Sequence, residues 1–593
     1  MHSISQIHIV NFRACRDVSL SLGDFTPLVG QNNVGKSTIL EAIKIVLTPR
    51  TFQKTDPSNP NEIISIAACI DGISPEIIAL IPEAKHQTAI TPYCVEGRLW
   101  VRVSSTPGTM KPVQEVWEPA KHAGEGTPTE WRKYPTGLPE AVNALLPEAL
   151  HVIAMEDVSE DLGKAKAGST IRGLLDEIMA PILEAHAEVQ QALDTVRGLL
   201  ASNGQQRSPL LRSFDANATI ALADFFPGLA IDMDVPSIDI KEFFKVGDLH
   251  VTDDVSKDRR RFDQVGSGAQ RAIQMALIRY LADIRRGGAE VLARRLLLID
   301  EPELYLHPQG VRRLREALRK LSEAGFQIVF STHSPLMLSR ENAPDTVVVR
   351  RDPAAGAVVN APLREAVLMA LNDAKAQSRT LFELGNVAEF YFCDKVVICE
   401  GKTDQRLLPL LYERLYGCSA EIDRICFVSL GNCSGIPKSF SVLLAMGIQF
   451  CAVVDLDFAF VEARKGADAW LDKDGADLAQ AKVVLARLGP AQGLPLGGNG
   501  LPINLGQNSA ATTWAKFAED AEGASIAQGC HDALKDQHVW AWPVGCIEDV
   551  LGAKDKGEEA IIAQEERLRV MAADEIAQEM PGFKACFEWI KQI

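Results

Sequence analysis

Long apolar runs are missing from this chain. No stretch of its 593 residues approaches the roughly 18 apolar positions a helix needs to cross a bilayer. The opening MHSISQIHIVNF lacks the basic-then-apolar layout of a secretory signal. A cytoplasmic protein with no membrane partner is therefore expected. The twelve cysteines include no C-x-x-C pair and no Cys/His group at zinc spacing, which argues against a zinc knuckle and for reduced, mostly buried thiols. Positive charge is scarce as well: 61 Lys and Arg stand against 78 Asp and Glu, a net charge of −17. That speaks against a protein that coats nucleic acid nonspecifically. It leaves room for a local groove, because carboxylates can be concentrated where metal ions neutralise them.

What is present is ordinary globular material, 47% hydrophobic and 23% charged. The chain is too long for one core, and at about 150 residues per domain three or four units are expected.

The first motif set lies near the start. Strands are predicted at ISQIHIVNF and FTPLVG, followed by the helical GKSTILEAIKIVL. Gly30, Gly35, Lys36 and Ser37 match G-x-x-x-x-G-K-[ST], with a strand before and an amphipathic helix after, as the pattern requires. Backbone N–H groups of the loop, Asn33 and Thr38 included, and the helix N-terminus would cradle phosphates. Lys36 would reach the β/γ oxygens and Ser37 would ligate Mg²⁺. Much later, RRLLLIDEPE predicts a short buried strand ending in Asp300 and Glu301. Acids directly after such a run are costly unless their charge is used; Asp300 suits Mg²⁺ and Glu301 suits the polarising of an attacking water. FQIVFSTHSP then delivers His333 at a strand end, where a γ-phosphate sensor would sit. Between them Ser267 and Gly268 open a helix with apolar residues at 272, 273, 276, 277 and 280, so backbone donors there could bind phosphate.

This ordered set resembles the ATP-binding-cassette ATPases of the SMC and RecF kind. The resemblance implies a dimer in which the signature Ser267 reaches ATP held by a second subunit, and an opening strand whose Arg13 approaches the nucleotide. The long heptad-rich arms of SMC proteins are absent; residues 160 to 212 carry one helix-period segment instead, expected to be a dimerisation insert.

A Pro/Ala/Gly-rich stretch, RRDPAAGAVVNAPL, reads as a hinge. Beyond it strand and helix alternate through KVVICE, DQRLLPLLYERLYG, RICFVSLG, IPKSFSVLLAMG and QFCAVVDLDF, which predicts a parallel sheet wrapped by helices. Function in such sheets gathers at the carboxyl ends of strands. Here those ends carry Glu400, with Asp404 in the following turn, and the pair Asp455 and Asp457. Residues two apart on a strand project to the same side, so the pair is expected to face one site. Four clustered carboxylates call for hard divalent cations, Mg²⁺ or Mn²⁺, and two such ions could clamp a phosphodiester during in-line displacement.

E-G-x-x-D followed about fifty residues later by V-V-D-L-D resembles a Toprim domain. An SMC-like ATPase followed directly by Toprim resembles the overcoming lysogenization defect (OLD) family of nucleases, over nearly the whole chain, and within it the subgroup of the Gabija nuclease subunit. The resemblance implies a DNA endonuclease of anti-phage defence or DNA repair, with ATP and two Toprim metal ions as cofactors, a homodimer or higher oligomer, and a UvrD-like helicase as partner. It also implies a further acid and a lysine from the C-terminal part. In HVWAWPVGCIEDVLGAKDKGEE a strand is expected to deliver Glu548 as that ligand, Asp549 is an alternative helix cap, and Lys554 or Lys556 is the cation. The stretch between, RLGPAQGLPLGGNGLPINLGQNSAATTW, reads as a long flexible insertion containing Ser509. SKDRRRF and the arginines 312, 313 and 315 are the basic groups that DNA would meet. The expected architecture is α/β, with an ATPase in residues 1–159 and 213–388, the helical insert at 160–212, and a Toprim domain at 389–593. The rival reading is a RecF-like clamp protein whose Toprim acids are not catalytic.

Overall fold

The computed structural model describes the chain apart from residues 1, 107–108, 119–129, 148, 153–186, 201–205, 224–231, 234–249, 253–257, 267–268, 271, 275, 279, 281–294, 374, 376, 378–379, 381–387, 431–432, 467–468, 506–508 and 553–557. Most of the expected helical insert, Ser267 and Lys554 fall outside the described residues. The chain divides into two compact units, Met1–Thr26 with Gly35–Met337, and Pro27–Val34 with Leu338–Ile593. No helix among the described residues is long and apolar enough to cross a membrane.

The strands at the start of the chain are β1 (Ser3–Phe12), β2 (Cys15–Ser21) and β3 (Phe25–Val29). β4 (Ser65–Asp71), β5 (Leu99–Ser105), β6 (Pro112–Trp117), β7 (Trp131–Lys133) and β8 (Ala149–Val152) follow. In the first unit the order β7-β6-β5-β4-β1-β2 is antiparallel throughout. β9 (His250–Thr252) and β10 (Arg259–Arg261) pair as a hairpin apart from these. β11 (Arg295–Ile299) runs parallel to β8 on one side and to β12 (Phe326–Thr332) on the other. Gln327 on β12 joins the antiparallel strands, its amide donating to Ile4 O at 2.7 Å and accepting from Ile4 N at 3.0 Å. Helix Pro308–Glu323, capped by His307, buries Val311, Leu314, Leu318 and Leu321, a stripe at helical spacing, against Leu297, Ile299, Ile328 and Phe330. Of the insert, helix Ala187–Leu200 is described, and helix Pro209–Ala223 starts at its end and runs beyond it.

The second unit opens with β13 (Val347–Asp352), parallel to the end of β3, and β14 (Gly356–Asn360). The expected hinge is thus an antiparallel hairpin. Asp352 closes its turn by accepting from Ala354 N and Ala355 N at 2.8 and 2.7 Å, and Pro, Ala and Gly suit a tight turn as well as a linker. β15 (Lys395–Cys399), β16 (Ile425–Ser429), β17 (Gln449–Val454) and β18 (Val539–Ala541) form an all-parallel sheet in the order β16-β15-β17-β18. Successive residues of a strand face opposite sides, and both sides are covered. Val396, Ile398, Ala452 and Val454 enter one core, Val397, Cys399, Cys451 and Val453 the other. The expected flexible insertion is largely ordered: helix Ala476–Gln492 runs through its start, and Ser509 caps helix Ala510–Glu519 by accepting from Thr512 N at 3.1 Å. Pro490 lies in the last turn of the first of these helices, where Gly493 adopts the left-handed conformation that ends it. None of the described cysteines forms a disulfide.

Candidate functional site

In the second unit the carboxyl ends of β15, β17 and β18 lie along one edge. Cys399 is in register with Val453, so the residues that follow β15 and β17 meet. Glu400 Oε2 accepts from Asp455 N at 2.9 Å. Asp404, 4% exposed, stands in the first turn of helix Lys402–Tyr416, and its Oδ2 accepts from Gly401 N at 3.1 Å. The aspartate pair is not on the strand, as the sequence reading expected. β17 ends at Val454, Asp455 lies in the turn, and Asp457 opens the short helix Asp457–Phe460. The turn is held by its partner strand: Trp542 N donates to Val454 O at 3.0 Å and Leu456 N to Gly545 O at 2.7 Å. Those bonds bring the Gly545 loop against the aspartates. Glu548, 8% exposed, follows that loop, delivered by the first turn of helix Ile547–Val550 rather than by a strand, because β18 has already ended at Ala541. Asp549 caps that helix, accepting from Cys546 N at 2.9 Å.

An acid that motif reading passed over lies in the same neighbourhood. Burial, followed by the charges of Glu400, Asp457 and Glu462, pushes the Cys433 thiol up to about 12. One thiol thus marks a neighbourhood shared by three carboxylates. Glu462 is mostly shielded and paired with Lys465 at 2.7 Å. It lies five residues past Asp457 on a separate turn, so no short spacing announced it. As the side chains stand, no group of three or more His, Cys, Asp or Glu among the described residues is drawn up tightly enough to hold a metal ion. The donors available are carboxylate oxygens, which fit Mg²⁺ or Mn²⁺ and not a soft metal.

Most of the ATPase motif set is traced in the first unit. Gly35, at φ 118°, precedes helix Lys36–Leu47, so Lys36, Ser37 and Thr38 form its first turn. Lys36 Nζ lies 2.8 Å from His333 Nε2, and His333 Nε2 lies 3.2 Å from Glu301 Oε1. Desolvation lowers the Lys36 amine to about 8 against the opposing pull of Glu301, Asp300 and Glu303. Desolvation and the Lys36 charge also lower His333, which favours the neutral imidazole beside the lysine. Ser331 Oγ donates to Asp300, and accepts from Glu301 N at 3.0 Å, holding Glu301 at φ 45°. Glu303 accepts from Thr332 Oγ1 at 2.6 Å and His333 N at 2.8 Å. It therefore fixes the turn that aims the imidazole. Arg13 is engaged by Asp56 at 2.9 Å. In the second unit Gly30, at φ 151°, presses on β13: an added Cβ would lie 2.1 Å from Val349 O. Asn33 stands at φ 62°.

Comparison with known proteins agrees with this layout. Residues 3–86 match an AAA ATPase domain family, and residues 156–339 an AAA domain family described as putative AbiEii toxin, type IV toxin–antitoxin system. Residues 391–457 match the overcoming lysogenization defect protein-like TOPRIM domain. The chain is 30% identical over 567 residues to the Old nuclease of Escherichia phage P2, covering 94% of each. It is 25% identical over 492 residues to the OLD nuclease of Thermus scotoductus, covering 78% of this chain and 83% of that one. Among solved structures, an Smc head bound to the C-terminal winged-helix domain of ScpA aligns with 61% of this chain and 99% of its own, at 15% identity and a TM-score of 0.35. A likeness that loose leaves the architecture resting on the chain's own strand order and on the family matches. With its Toprim acids at one sheet edge and its ATPase motifs in place, the chain belongs to the overcoming lysogenization defect family of nucleases.

Proposed function

We propose that this chain is a divalent-metal-dependent DNA endonuclease whose Toprim acids hydrolyse phosphodiesters under the control of its ATPase motifs. The observation that supports this reading most strongly is the bond from Asp455 N to Glu400 Oε2, which joins the ends of two neighbouring parallel strands. Glu400, Asp404, Asp455, Asp457 and Glu548 would hold the cations. When bound, two such ions would supply Lewis acidity to the scissile phosphate and to the water that attacks it. The protein's own contribution is position. Asp404 keeps Gly401 and the strand end in place, the β18 contacts hold the aspartate turn, and Lys554 is assigned to the charge developing on phosphate.

On the ATPase side, Gly30, Asn33, Gly35, Lys36, Ser37 and Thr38 would hold ATP with Asp300 and one Mg²⁺. Glu301 would orient the water and His333 would sense the terminal phosphate. Ser267 would complete the site of a second copy in a homodimer or larger assembly, with residues 160–212 as the dimerising insert and Arg13 near the nucleotide. The division into ATPase parts 1–159 and 213–388 and a Toprim part from 389 belongs to the same proposal, as do a cytoplasmic setting, a role in anti-phage defence or DNA repair, and a UvrD-like helicase partner.

The test is nicking of supercoiled plasmid in Mg²⁺ or Mn²⁺. The Asp455→Ala, Asp457→Ala double variant is expected to be inactive while staying folded. Full activity in that variant would move the chemistry away from these acids, whereas absence of nicking by the wild type would favour the non-catalytic clamp reading.

A further inference from the structure

We propose that Asp394 is a positioning residue that couples the phosphate loop to the Toprim strand carrying Glu400. This rests on the nuclease reading above and adds its regulation. The residues concerned all lie within the second compact unit, to which Pro27–Val34 belongs.

The phosphate loop is tied to this unit at successive residues. Gly30 is pressed so closely on Val349 that any side chain would strike the Val349 carbonyl. Arg350, the next residue of β13, donates to Cys393 O at 3.1 Å. Gln31, the next residue of the loop, donates through Nε2 to Asp394 Oδ1 at 3.1 Å, with Oδ2 at 3.4 Å. Gln31 is thus joined directly to Asp394, 363 positions along the chain, and Gly30 lies against the strand whose Arg350 holds Cys393. A phosphate loop needs none of these contacts to bind phosphate, since its backbone amides and Lys36 do that work.

Asp394 is held from the other side as well. Its Oδ2 takes an ion pair from Arg424 Nη1 at 3.1 Å. Asp394 N and Lys395 N donate to Arg424 O at 3.0 and 3.2 Å, with Arg424 at φ 57° in the left-handed region. Asp394 therefore stands between the loop and the start of both β15 and β16. From Lys395, β15 runs as five buried residues to Cys399, and Glu400 follows. A strand packed on both faces shifts as a unit, because its neighbours leave no room for local give. In this coupling a loop closed on phosphate places the Gln31 amide differently from an empty loop. That difference reaches the base of β15 through Asp394 and the metal edge through Glu400, and a differential contact of this kind is what coupling between sites requires.

The test uses the full chain. Plasmid nicking in Mn²⁺ is measured with and without ATP, and with a non-hydrolysable analogue, for wild type, Asp394→Ala, Gln31→Ala and the double variant. Wild type should show a nicking rate changed at least about fivefold by nucleotide, a typical size for allosteric coupling. Asp394→Ala should bring that ratio within about twofold of one while nucleotide-free nicking stays near wild type. Adding Gln31→Ala should change nothing more, as expected of two groups acting through one contact. In parallel, hydrogen exchange of the amides 395–400 should respond to ATP in wild type and not in Asp394→Ala. This second measurement reads the coupling even if the chain cuts no DNA, so failure of the nuclease reading stays distinguishable. An ATP response of these amides that survives Asp394→Ala unchanged, or is absent from wild type, would overturn the coupling.

Discussion

Lys36 carries the highest electrostatic stakes in the nucleotide half. It is 5% exposed, and removal from water lowers its amine to about 8 from 10.5. Phosphate binding needs the ammonium form. As pH rises through about 8 the proton is lost in the empty site, so ATP affinity should fall between pH 7 and 9; a lysine at its ordinary value would hold affinity across that range. Titration with a fluorescent ATP analogue at several pH values reads this directly, and a flat profile to pH 9 would contradict it. Glu301 allows a second prediction. Held beside His333 and proposed to orient the water, it should on replacement by Gln cut phosphate release by roughly 10²- to 10⁴-fold, the usual contribution of general base catalysis, with ATP binding retained. These residues were legible as motifs because each follows an apolar strand within a few positions. Glu303 and Glu462 were not, since what they do depends on folded neighbours rather than on spacing.

At the scale of elements, alternation of the buried strands was plain in the sequence, and β15, β16 and β17 lie within KVVICE, RICFVSLG and QFCAVVDLDF, the last stopping early at Val454. Loop and turn segments were less legible. RRDPAAGAVVNAPL has the composition of a linker, yet Asp352 converts it into a hairpin. V-V-D-L-D looks like one strand, yet the backbone leaves it at Asp455 because Leu456 N is taken by Gly545 O. The sheet also sets how firmly Glu400 is placed. Ile398 is fully buried two residues before it, so Ile398→Ala should cost about 2–5 kcal/mol, the range for a buried Ile cut to Ala. Urea unfolding of this variant should show a transition at lower denaturant. A change below 1 kcal/mol would mean that the sheet is less tightly packed than its burial indicates.

For the whole molecule, a net charge of −17 means that affinity for a polyanion has to come from local groups and from bound cations. Arg259 and Arg260 are exposed on β10, with Arg260 paired to Asp258 at 3.1 Å, while the carboxylate edge becomes hospitable to phosphate only once metal neutralises it. Metal binding is thus the step on which nuclease action depends. Its most direct test is Mn²⁺ binding without DNA or nucleotide, followed by electron paramagnetic resonance of free ion in wild type and in the Glu400→Ala, Asp455→Ala variant. The account predicts saturable binding of about two ions per wild-type chain, as a two-metal site requires, and its loss in the variant. Equal binding by both proteins would contradict it.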